Sequence, residues 1–150
     1  MLGAGGPQLN RNRWAALYIA DLWEGRENMS HSISTSEDGK YIILEIIGDI
    51  TAEIIMKMII EAHAIGEKQG ISRYLVDGTQ ARNVSTITDN YQFAYDNMKS
   101  TPGINIHARV AMLVSLDDHS HDFVETVTQN AGFNAKMFRD RTQAIEYLRK

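Results

Sequence analysis

Cysteine is absent from this chain, which removes disulfide stapling, thiolate zinc sites and a cysteine nucleophile together. The absence also suits a reducing compartment, so a cytoplasmic location is expected. No run of lysine or arginine interrupts a balance of 15 basic against 19 acidic side chains, net charge -4, and the electrostatic footprint of a nucleic-acid binder is missing with it. Long apolar runs are missing too. The N-terminal stretch RNRWAALYIADLWEG is broken by Asp21, falls well short of the ~20 apolar residues that span a bilayer, and is followed by no small-residue cleavage pattern. Neither secretion nor membrane insertion is expected. The glycines of GAGG at residues 3–6 keep neither phosphate-loop spacing and follow no strand. No Ser-His-Asp elbow, no recognisable carboxylate pair and no P-loop occurs, so catalysis is not expected and no cofactor is implied.

What is present is 150 residues, enough for one domain with an ordinary core. Residues 1–30 read as an appendage in which Trp14, Leu17, Tyr18 and Leu22 fall at helical spacing; this segment is a natural packing element for a homodimer. The domain occupies residues 31–150. SISTS and KYIILEIIG are strand-like runs separated by Asp38-Gly39, a strong hairpin signal. TAEIIMKMIIEAHAIGEKQG then places Ile54, Ile55, Met58, Ile59, Ala62 and Ile65 along one helical stripe, with Gly70 as its stop. ISRYLVD reads as a strand ending at Asp77, followed by a polar loop at 77–86 and a helix over 88–99 carrying Tyr91, Ala94, Tyr95 and Met98 on one face. ARVAMLVSL is a buried-type strand. HDFVETVTQNAG is a helix with Phe123, Val124, Val127 and Ala131 inward; AKMF is a last strand, and RTQAIEYLRK a closing helix capped by Asp140 with Ala144, Ile145 and Leu148 buried. The order β-β-α-β-α-β-α-β-α predicts an α/β domain with a mixed, mostly parallel sheet and helices packed on it.

That order, together with Arg109, Ala111, Phe138, Ala144 and Leu148 in the closing segment ARVAMLVSLDDHSHDFVETVTQNAGFNAKMFRDRTQAIEYLRK, resembles the STAS domain superfamily and, within it, the SpoIIAA-like bacterial proteins. The resemblance covers residues 31–150. It implies a SpoIIAA-like fold and a non-enzymatic regulatory or protein-interaction domain of the anti-sigma factor antagonist kind, docking on a kinase-like partner and switched by phosphorylation at the start of the helix after the third strand. At that place the family reads Asp-Ser-Ser-Gly; here the chain reads Val84-Ser85-Thr86-Ile87, a hydroxyl pair without the flanking Asp and Gly. Ser85 and Thr86 are therefore the phosphorylation candidates, and Asp77, Thr79, Arg82, Asn83 and Tyr91 the residues expected to meet a partner or ligand.

Each of these has a plainer reading. The stretch 77–86 lies where ligands bind in open α/β sheets, past the carboxyl end of a strand, and a helix start favours phosphate. Yet Thr86 with Asp89 three residues on is also a helix-capping pattern, and Asp89 would repel a neighbouring phosphate. His119 and His121 in DDHSHD are good metal ligands by type, but a spacing of two on a helix separates them, and no metal site is assigned. His63 and His107 read as surface or boundary residues. The alternative function is a small-molecule or lipid-binding module with a cleft at the strand ends. An enzyme would require His107, His119 or His121 to cluster with Asp77 or Asp117.

Overall fold

Ser36 and Tyr41 close the first turn of the molecule, the Ser36 amide donating to the Tyr41 carbonyl at 2.9 Å. Within it the Ser36 hydroxyl accepts from the amides of Lys40 and Tyr41 and donates to Asp38 at 2.7 Å, and Gly39 supplies the positive φ of 71°. The turn joins strands β1 (Ser30–Thr35) and β2 (Ile42–Ile50) as the expected antiparallel hairpin. The computed structural model describes residues 29–92, 96 and 100–150. The expected helix between Trp14 and Trp23 lies outside them.

Helix α1 (Ala52–Gln69) starts at Thr51, whose hydroxyl accepts from the Ile54 amide, and stops at Gly70 with φ 70°, as its sequence predicts. Strand β3 (Arg73–Asn83), helix α2 (Ile87–Gln92), strand β4 (Arg109–Leu113), helix α3 (Asp122–Asn130), strand β5 (Asn134–Phe138) and helix α4 (Arg141–Arg149) follow. The strands lie side by side in chain order, β1-β2-β3-β4-β5, and all pairings after the hairpin are parallel. The α/β class, the element order and the mixed, mostly parallel sheet are those expected.

Chain order dictates where the helices sit. Crossovers of one hand between strands added in sequence place every crossover helix on the same face. On that face α1 packs Ile54 and Met58 on Leu44, Ile46 and Ile50, and Ala62 on Ile42 and Tyr74. There Ala52 also clusters with Val127 of α3 and with Ala131, which caps that helix. Among the described elements only α4, which follows the last of these strands, covers the opposite face, with Ala144 and Leu148 against Leu75, Ala111 and Leu113. Strand parity follows: Tyr74 faces α1 while Leu75 faces α4. Ile42, Leu44, Ile46, Met58, Leu75 and Leu148 are under 2% exposed, each contributing about 1.5–3 kcal/mol of burial.

Two expectations about these elements are corrected. Strand β3 does not end at Asp77; it continues through Asn83, pairing Gln80–Asn83 with Ile47–Ile50 after a register shift. Asp77-Gly78 marks a bulge inside a strand, not its end. Phe123 is 37% exposed rather than inward, because the inner side of α3 is set by Val127 and Thr128.

Candidate functional site

Past the carboxyl ends of the parallel strands, the sequence candidates go to different places. Asp77 is buried, and its carboxylate accepts from the Thr79 amide at 3.0 Å, the Thr79 hydroxyl at 2.7 Å and Arg141 at 2.9 Å. Those contacts hold the bulge that lets β3 continue and tie it to the first turn of α4. Beyond Leu113 strand β4 no longer flanks β3, and the loop before α3 takes its place. Ser120 accepts from the Asn83 amide at 3.1 Å, and His121 Nε2 lies 3.2 Å from the Ala81 carbonyl. An open polar cleft between Gly48, Thr79, Arg82, Asp117 and Ser120 lies along this seam. Thr79 and Arg82 thus share a surface.

Ser85 and Thr86 act on two different helices. The Ser85 hydroxyl accepts from the Ala52 amide at 2.6 Å, so it satisfies a free N–H at the start of α1. Thr86 accepts from the Asp89 amide at 3.1 Å and caps α2, as the Thr-x-x-Asp pattern predicts. Asn83 bridges them, its Oδ1 accepting from the Ser85 amide at 2.9 Å and its Nδ2 donating to Asn90 Oδ1 at 3.1 Å. Tyr91 stands on α2.

The histidines of DDHSHD diverge. His119 Nδ1 pairs with Asp122 at 2.8 Å, while His121 Nε2 turns to Asp118 at 3.4 Å and to Ala81. Among the described residues no group of three or more His, Asp or Glu side chains has metal-binding geometry, and Asp77 is engaged by Arg141 rather than by any histidine.

Between the sheet and helices α1 and α3 lies a cavity of about 100 Å³. Its walls are mostly aliphatic: Leu44 and Ile46 from β2, Ile55, Ile59 and Ala62 from α1, Val110 and Met112 from β4, Val124 from α3. Asn83, Asn90 and Asn105 bring it polar atoms, and no described lining residue is Lys, Arg, Asp or Glu. His63 also lines it. Against expectation, His63 is only 4% exposed. Its ring stacks on Tyr74 with centroids 4.4 Å apart, and Nδ1 accepts from the Asn105 amide at 3.0 Å. Burial pushes its pKa down from 6.5 to about 4, so the imidazole is neutral at pH 7.

The chain is similar to solved structures. One of them is an uncharacterized protein of the DUF3478 family with a SpoIIAA-like fold from Shewanella loihica; the match has 16% identity and a TM-score of 0.47, and covers 81% of this chain and 93% of that one. The resemblance read from the sequence names the same fold. No family model matches the chain, and no curated protein does.

The buried histidine had a signal in the sequence. Ile55, Ile59 and His63 are spaced by four, so His63 continues a row of the apolar stripe on α1. Asn90 and Asn105 had none, because both sit in a polar crossover whose inner side only the tertiary packing defines.

Proposed function

We propose that the chain is a non-enzymatic binding domain holding a small, neutral, largely apolar molecule between its sheet and helices α1 and α3. The observation that carries this reading is the cavity walled by Ile46, Ala62, Val110 and Val124. Protein interiors keep few voids larger than a water molecule, and a void of about 100 Å³ left empty costs about 2 kcal/mol at ~24 cal/mol per Å³. A ligand that fills it recovers that cost. By proportion with the ~150 Å³ apolar cavity that takes benzene, the ligand has about four non-hydrogen atoms inside.

Amide-resolved NMR titration with small neutral compounds tests the reading, with Ala62→Leu as the blocked control. Shifts should centre on Ile46, Ala62, Val110 and Val124, and Ala62→Leu should abolish them while leaving the fold intact. Shifts that persist in Ala62→Leu, or none from any compound of this size, count against it.

A second reading is the regulatory one, with a kinase-like anti-sigma partner. It is favoured by two exposed apolar side chains, Leu116 in the loop after β4 at 74% and Val84 at 49%, the latter directly before Ser85 and Thr86 in the chain. Exposed apolar groups flanked by polar ones are usual at docking surfaces, and a second copy of the chain is one such partner. Isolation from the native host with intact-mass analysis tests it: a phosphate on Ser85 or Thr86, and a co-purifying protein released by Leu116→Asp but not by Ala62→Leu, are expected. An unmodified chain that travels alone sinks it.

A further inference from the structure

His63 is held on two sides and left open on a third. Its ring plane is fixed by the stack on Tyr74, whose hydroxyl is anchored on the Ile71 carbonyl at 3.2 Å. Its Nδ1 can only be an acceptor, because the group facing it is the Asn105 amide N–H. A neutral imidazole whose Nδ1 accepts carries its proton on Nε2. No described residue accepts from that Nε2–H, although the side chain is buried and lines the cavity. Of the other polar side chains around the void, the Thr128 hydroxyl donates to the Val124 and Glu125 carbonyls, Asn83 Nδ2 donates to Asn90 Oδ1, and His121 faces Ala81 and Asp118, while Asn90 Nδ2 is a second donor without an acceptor among the described residues. Buried donors without a partner are rare in folded proteins, and each is costly.

We infer that His63 is the polar anchor of this cavity, its Nε2–H donating to an ether or carbonyl oxygen of a small neutral ligand. The inference rests on the ligand-binding reading above and adds to it the atom that recognises the ligand. The chemistry of the wall sets the ligand's class. Among the described lining residues an anion would find no lysine or arginine to compensate it, and a cation no carboxylate. A second N–H donor would oppose Nε2–H. What fits is a compact apolar body with one acceptor.

Tetrahydrofuran and cyclopentane are the probes, rings of the same shape that differ by one oxygen. Titrations are run on the wild type, on His63→Phe, which keeps an aromatic ring on Tyr74 but has no donor, and on Asn90→Ser. His63→Phe should weaken tetrahydrofuran about fivefold relative to cyclopentane, the scale of one recovered hydrogen bond, and Asn90→Ser should leave that ratio unchanged. In the wild type, tetrahydrofuran should shift the His63 Nε2 resonance and cyclopentane should not; this readout needs no variant to fold. Binding of both rings with the ratio unaltered by His63→Phe and Nε2 unmoved overturns the anchor and leaves the cavity reading standing. A ratio that changes only in Asn90→Ser reassigns the donor to that carboxamide and equally overturns the inference. Failure of both rings to bind removes the ligand-binding reading itself.

Discussion

His63 makes the stability of the domain depend on acid in a direction its burial fixes. The folded chain holds the imidazole neutral down to about pH 4, whereas the unfolded chain protonates it near 6.5. Between those values the unfolded state binds more protons, so the contribution is complete above 6.5 and is lost as the pH falls to about 4. Its size is about 3 kcal/mol. Urea unfolding at pH 7 and pH 4.5 should show His63→Phe losing less stability on acidification than the wild type; parallel losses would mean that the imidazole is solvated. The hydroxyl pair divides in the same way. Ser85→Ala should cost about 1 kcal/mol, because it strips an acceptor from the first turn of α1, the long helix. Thr86→Ala should cost less, because it caps only the exposed start of α2. Equal midpoints in urea would contradict that division. The Thr86 cap was legible in the sequence because it is local; the Ser85 bond to Ala52 spans 33 residues, and no pattern of spacing could reveal it.

At the scale of elements, apolar periodicity located every described helix and strand, and its failures share a cause. The part of β3 beyond Asp77 carries one buried apolar side chain, Ala81, among Gln80, Arg82 and Asn83, so nothing in it looks like a strand. Its place comes from the second half of β2 and from the Asp77–Thr79 contacts, both of them tertiary. A helix position can likewise be dictated from outside. Gly66 on α1 would, with a Cβ, meet the Tyr74 hydroxyl oxygen at 2.2 Å and the Ile71 carbonyl oxygen at 2.8 Å. Gly66→Ala should therefore destabilise by about 2 kcal/mol, even though alanine is the better helix former by ~1 kcal/mol. A raised melting temperature in this variant would show that Tyr74 can move away, and with it the stack on His63.

Across the domain, the sequential strand order concentrates helices on one face and, among the described residues, leaves α4 alone on the other. Leu148, under 2% exposed, is the main plug of that face, and Leu148→Ala should cost about 2–5 kcal/mol, measured by chemical denaturation at neutral pH. A loss below 1 kcal/mol would mean that the face closes without it. The fold class was legible because an alternation of short apolar runs and amphipathic stripes permits few layerings. The cavity was not, since a void is a property of three elements together and of no residue in any of them.

The place of α4 has a consequence during synthesis. Each strand pairs with its neighbour in the chain, so the sheet can assemble progressively as it leaves the ribosome, and such local wiring favours fast folding. The closing contacts are different. Arg73 donates to the carbonyl of Leu148, and Arg149 reaches Asp38 from 111 residues away. Until α4 emerges, Leu75 and Ala111 lack the cover that Ala144 and Leu148 give them. The nascent domain is then a nearly finished sheet with one greasy side open to chaperones or to its neighbours on the polysome, and the emergence and docking of α4 is the step that ends this exposure.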